Sequence, residues 1–225
     1  MIRRDYILRM IEEFMQALAR IRSLKQSQHW QEASGELDAE LKKLVGDDAR
    51  AVARLSETEL LARLMQDGPT HALRDRTFIL ATLLAEAGDV AAGKDQSEAG
   101  RECHLKALHL LLDVLGRDEV FECPSFVPKV ALLRERLRSE PLPLRTLAML
   151  MQHYERTGEF ARAEDELFAM LDAEPDSEAI AKLGMAFYQR LRAQSDTTLA
   201  AANLPRPEVE SGLSELQQRF RRVAN

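Results

Sequence analysis

The chain has 225 residues, 45% of them hydrophobic and 30% charged, with a formal net charge of −6. That length supports one large domain or two small ones around a real core. The acidic balance argues against general nucleic-acid binding, which needs a basic face to release counterions, and the longest apolar run, Phe78–Ala85, is far short of the ~20 residues of a membrane span.

Arg3 and Arg4 resemble the start of an export signal, but Glu12 and Glu13 interrupt the apolar stretch behind them. With no export signal and two cysteines, Cys103 and Cys123, a cytoplasmic protein with free thiols is expected; a bridge between them is the alternative in an oxidising compartment. The charge is uneven. Residues 1–25 carry six basic side chains against three acidic ones, a local balance of +3 that leaves −9 for the rest.

Residues 2–27 read as a long helix. Ile7, Ile11, Phe14, Leu18 and Ile21 recur at alternating spacings of four and three, so they form one stripe, widened by Met10 and Ala17. Packing on the chain's own second helix, a homodimer seam and membrane-surface binding are the competing uses of that stripe. The mixed charges of the polar face count against the membrane. A second helix follows at 29–45, with Trp30, Ala33, Leu37, Leu41, Leu44 and Val45 towards one side and Gly46 as its stop.

Ser56-Glu57-Thr58-Glu59 has the form of a capping box opening a short helix with Leu60, Leu61, Leu64 and Met65. Gly68-Pro69 closes it, and Thr70 is placed to cap the next helix, roughly 71–87, whose apolar run makes it central to the core. Gly88-Asp-Val-Ala-Ala-Gly93-Lys94 fits the first seven positions of a phosphate-binding loop. Asp95 stands where a hydroxyl should reach Mg²⁺, Asp89 puts a negative charge inside the anion cradle, and the preceding segment is helical rather than a strand. The stretch therefore reads as a polar connection between helices, with no nucleotide.

The next helix is expected at 96–115, with Cys103, Ala107, Leu108, Leu111, Leu112 and Leu115, ending at Gly116. Pro124 and Pro128 then break the pattern. Ser125 is placed to start a helix through Arg138 with Val130, Leu133 and Leu137 inward, and Pro141 and Pro143 mark the clearest boundary in the chain.

The sharpest pattern is Leu147–Pro175. Leu147 and Leu150 are large, Tyr154 is aromatic, Gly158 closes the first helix, Phe160 sits in the turn, Ala163 is small where paired helices cross, Leu167 and Met170 follow, and Pro175 ends the unit. This resembles a tetratricopeptide repeat, with Met151 where a Gly usually stands. A second unit starts with Ile180, Leu183-Gly184 and Phe187. Its second helix is not recognisable in 195–207. A terminal helix at about 206–223, with Val209, Leu213, Leu216 and Phe220, reads as an end cap. Phe78, Ala81 and Ala85 with Ala107, Leu111 and Val114 resemble a worn copy, and Trp30-Gln-Glu-Ala33 resembles the start of a second repeat helix.

The start Asp5-Tyr6-Ile7-Leu8-Arg9-Met10-Ile11-Glu12 also resembles that of an uncharacterised bacterial all-helical family, which carries no activity over. The resemblances imply an all-α short right-handed solenoid. Residues 1–139 would hold degenerate hairpins and 140–225 the tetratricopeptide-like hairpins and cap, in one continuous array.

No catalytic pattern stands out. None of His29, His71, His104, His109 and His153 sits in a metal-binding helix motif, Cys103 and His104 point about 100° apart as neighbours on a helix, and His109 can meet Asp113 one turn on. Glu164-Asp165-Glu166 and Asp47-Asp48 read as solvated faces. An enzyme is not expected, nor any cofactor or metal.

The expected role is a scaffold or adaptor binding a peptide or helix in a concave groove lined by Arg145, Gln152, Glu155, Arg156, Met185, Tyr188 and Gln189. Ala148 and Gln152 stand where some tetratricopeptide proteins grip a terminal carboxylate with Lys and Asn, so that mode is not favoured. The alternative from another class is a structural protein that dimerises through Ile7, Ile11, Phe14, Leu18 and Ile21. An enzyme built around His109 or Cys103 is the weakest option.

Overall fold

A computed structural model describes residues 2–66, 72–117 and 123–223, with side chains in the terminal helices from Ile7 onward and as far as Arg219. Gly68, Pro69, Thr70 and His71, and the side chain of Phe220, lie outside the described residues. The described chain is all α-helical, without a strand. No described helix is long and apolar enough to cross a membrane. Two compact units form, Met1–Pro141 and Leu142–Asn225.

The first unit holds α1 (Ile2–Gln26), α2 (Trp30–Val45), α3 (Ala49–Arg54), α4 (Glu57–Gln66), α5 (Leu73–Gly93), α6 (Ser97–Arg117) and α7 (Val130–Arg136). Its centre is the pair α5 and α6. α5 is buried on every side from Arg76 to Val90, as an all-round apolar helix must be. The α1–α2 hairpin lies against it, and the short α3 and α4 pack on α5 and α6.

Local chemistry sets the ends. α2 stops at Gly46 in the left-handed conformation, its N–H donating to Lys42 O at 3.0 Å. The capping box forms: Ser56 N–H donates to Glu59 Oε2 at 2.8 Å and Glu59 N–H to Ser56 Oγ at 3.2 Å.

Three expectations from the sequence change here. The phosphate-loop look-alike at 88–93 is not a connection but the last turns of α5; the turn itself is only Lys94–Gln96, with Asp95 left-handed. Gly88 is there for packing, because any Cβ at that position would overlap the ring of His104 on α6. α6 runs through Gly116 to Arg117 instead of ending at the glycine. Finally, the helix expected from Ser125 to Arg138 shrinks to α7. Pro128 cannot donate and disfavours helical backbone before it, so Phe126 and Val127 are buried from a non-helical strap and Phe126 meets Phe14 edge-on at 5.1 Å.

The second unit holds α8 (Leu144–Thr157), α9 (Phe160–Ala173), α10 (Glu178–Arg192), α11 (Asp196–Ala201) and α12 (Arg206–Val223). α8 and α9 form a hairpin with Leu147, Leu150, Met151, Tyr154, Ala163, Leu167 and Met170 all buried. α10 packs on both α9 and α12. Gly184 is required there, since a Cβ would lie 2.8 Å from Leu216 of α12 and 3.0 Å from Leu167 of α9. The segment 195–207, featureless in sequence, contains α11, whose start is capped by Ser195 Oγ accepting from Thr198 N–H and whose Leu199 is fully buried.

Candidate functional site

The most developed polar arrangement lies in the first unit, between the C-terminal half of α1, α5, α6 and the end of α7. Arg22 and Lys25 stand one turn apart on α1, and Glu86 and Asp89 one turn apart on α5, so each pair shares a helix face. Arg22 Nε donates to Glu86 Oε1 at 2.7 Å. Lys25 bridges both carboxylates, bonding Glu86 and reaching Asp89 Oδ2 at 2.8 Å. Asp89 Oδ1 also meets His104 Nε2 at 3.2 Å and Arg136 Nε at 3.3 Å. Burial by itself pushes the Asp89 carboxyl up, but the hydrogen bonds from His104 and Lys25 and the neighbouring Arg136 charge outweigh it. They hold the group well below the usual carboxylate range.

The network forms one wall of a cleft of about 750 Å³ that also takes in Trp30, Ser97, Arg101 and Ser139. Trp30 lies against α5, where Gly93 leaves room for the indole. Arg101 pairs with Glu140 at 2.8 Å and donates to Pro141 O at 2.8 Å. On the other side of the same wall is a smaller cavity of about 290 Å³, lined by Phe126, Pro128 and Leu132.

The residues singled out in the sequence are dispersed. His109 meets Glu57 of α4, its Nδ1 3.1 Å from Oε1, and Asp113 pairs with Arg117 at 2.8 Å. Lys106 Nζ joins the same Glu57 oxygen at 3.0 Å; burial opposes the Glu57 charge, but these donors and a backbone hydrogen bond bring its pKa to about 2. Cys103 faces a different cleft from His104, beside Asp38 and Lys94. Its thiol is pushed up to about 12 by burial and then by the Glu102 and Asp38 charges, so it is held protonated. Cys103 and Cys123 are free thiols. Among the described residues no group of three or more His, Cys, Asp or Glu is arranged to hold a metal ion.

In the second unit, Arg145, Gln152, Arg156 and Gln189 are exposed and Met185 is half-buried. Tyr188 is a correction. It is 0% exposed, its hydroxyl donating to Glu164 Oε1 at 2.6 Å in space left by Gly212, because the aromatic ring fills the seam between α9, α10 and α12 rather than their outer face. Glu155 is held by Arg190 through two bonds of 2.5 and 2.8 Å. The helix 1 stripe is also split: Phe14, Leu18 and Ile21 are buried in this chain's own core, whereas Ile7 and Ile11 are only half-buried.

One family match runs over residues 1–221. The chain belongs to the DUF6483 family. DUF6483 is a family of unknown function, in keeping with the uncharacterised helical family that the N-terminal residues resemble. No curated protein and no solved structure matches this DUF6483 chain.

Neither motif nor periodicity singles out Arg22, Lys25, Glu86 or Arg136 in this DUF6483 member. A signal was nevertheless present. An acidic pair one turn apart at the end of the most apolar helix needs buried partners, and a basic pair of the same spacing stands in α1. Asp89, the charge that spoils the phosphate-loop look-alike, meets Lys25, His104 and Arg136.

Proposed function

We propose that this protein is a non-catalytic scaffold whose second unit packs in tetratricopeptide-like fashion and presents the outer face of α8 and α10 to a peptide or helix. The observation that carries the reading is the close approach at Gly184, where α10 meets Leu167 of α9 and Leu216 of α12. A first helix wedged between the preceding second helix and its own partner is the packing such arrays use. On this reading α12 is the second helix of the second hairpin as well as the cap, and α11 is an insertion. The exposed face carries Arg145, Gln152, Arg156 and Gln189 beside Met185, a mixture suited to protein recognition. The protonated Cys103 thiol and the engagement of His109 by Glu57 support a non-catalytic role. A photo-crosslinking residue at Gln152 or at Gln189 is expected to capture one and the same protein from native extract, and at exposed Asp165 of α9 not to. Identical capture at all three positions would remove the reading.

A second reading, self-association through α1, is favoured by Leu8 and Met15, which are 48% and 39% exposed one heptad apart on that helix. With Phe14, Leu18 and Ile21 engaged internally, the seam would run through Ile7, Leu8, Ile11 and Met15. Sedimentation is expected to give a dimer mass for the wild type and a monomer mass for Leu8→Asp with Met15→Asp, at unchanged helix content. A wild type that is monomeric at high concentration removes this reading.

A further inference from the structure

The charges around the α1–α5 network do not balance. Arg22, Lys25 and Arg136 are three cations sharing two carboxylates, Glu86 and Asp89. Glu140, the nearest further acid of the cleft, is already engaged by Arg101. The network therefore holds one more cation than carboxylates, and the excess is carried by the half-exposed arginines rather than by the largely buried Lys25.

The geometry of the two arginines says where that charge is presented. Each is fastened by its inner edge: Arg22 by Nε on Glu86, and Arg136 by Nε and Nη2 on Asp89. The Nη1 and Nη2 groups of Arg22 and Nη1 of Arg136 have no partner among the described residues, and the two side chains are 47% and 49% exposed. A guanidinium held by a carboxylate at one edge and open at the other is pre-oriented, so an incoming anion meets fixed donors at little further entropic cost. Lys25 is different: its side chain is only 17% exposed and bonds both carboxylates, so it supplies field more than contact. Both arginines line the cleft of about 750 Å³ that has Trp30 on its wall, as they line the smaller cavity of about 290 Å³, and the larger one is of the size that takes small ligands.

We propose that this cleft is an anion-binding site for a small molecule bearing a phosphate or carboxylate group, gripped by the outer edges of Arg22 and Arg136 and flanked by Trp30. The site lies wholly in the first unit and stands whether or not the second unit binds a partner.

Trp30 is the only tryptophan of the chain, so its emission reports on this cleft. The intact protein at low ionic strength would be titrated with pyrophosphate and, separately, with succinate, read by Trp30 fluorescence and by calorimetry against potassium chloride at matched ionic strength. A saturable response to at least one, half-complete at or below about 1 mM, is expected. The probe that binds tells whether the natural ligand presents phosphate or carboxylate. Arg22→Gln and Arg136→Gln are expected to weaken binding at least ~10-fold, the scale of one charge-assisted hydrogen bond. Because those variants disturb the network, Ser139→Glu, which adds a negative charge at an exposed position of the cleft, is the independent check and is expected to weaken binding similarly. Arg138→Gln, outside the cleft, is expected to bind as wild type. No saturable response to either probe in either measurement, or equal weakening by Arg138→Gln, overturns the proposal.

Discussion

Arg76→Ala is expected to lower the stability of the first unit by about 3 kcal/mol, read as a shift in the urea midpoint at unchanged slope. Arg76 is only 3% exposed, and its guanidinium donates from Nη1 to Leu64 O at 2.7 Å and from Nη2 to Leu44 O at 3.1 Å. Those carbonyls belong to the last turns of α4 and α2, where the helix supplies no donor. One side chain thus caps two helices, and its positive charge faces the negative ends of both helix dipoles. Alanine leaves both acceptors unpaired in the interior, at about 1–3 kcal/mol each before any relaxation by water. Arg76→Lys keeps the charge, but a single ammonium group lacks the planar fork that spans two carbonyls, so roughly half of the loss is expected. An unchanged midpoint in Arg76→Ala would rule out the double-capping account.

Gly88→Ala is expected to cost about 2 kcal/mol, from overpacking rather than from helix propensity, which by itself favours alanine by about 1 kcal/mol. The new methyl would occupy the space of the His104 ring. That ring is buried and tied to Asp89, and the chain opposite is equally tight, since a Cβ on Gly100 would sit 3.0 Å from Gly88 O. Neither side can retreat without breaking the network. A double-mutant cycle with His104→Ala isolates the clash: Gly88→Ala should be far less harmful, or stabilising, once the ring is gone. The same loss in both backgrounds would place the strain elsewhere.

Both substitutions concern residues whose packing role cannot be read from composition or periodicity. Arg76 looks like an ordinary surface arginine near the start of a helix until α2 and α4 are seen to end beside it. Gly88 with Asp89 and Lys94 resembles a turn, yet α5 continues through it; the neighbour that needs the glycine, His104, is 16 positions away on α6 and so leaves no local mark. Tyr188 failed in the opposite direction. Its place on a first helix put it on the outer face, but the gap left by Gly212 drew the ring inward, where burial of its large apolar surface dominates.

What the sequence by itself determined were the features set by neighbours within a turn or two: the all-helical class, the stripes of α1 and α2, the stop at Gly46, the Ser56–Glu59 box and the α8–α9 hairpin. Such features rest on spacing and caps, and both can be read along the chain. Only the tertiary structure decided which half of the α1 stripe is core, where Cys103, His104 and His109 lie, and that Arg22 and Lys25 face Glu86 and Asp89. The physical reason is distance along the chain. Arg22 and Glu86 are 64 residues apart, and no local rule pairs charges across three intervening helices.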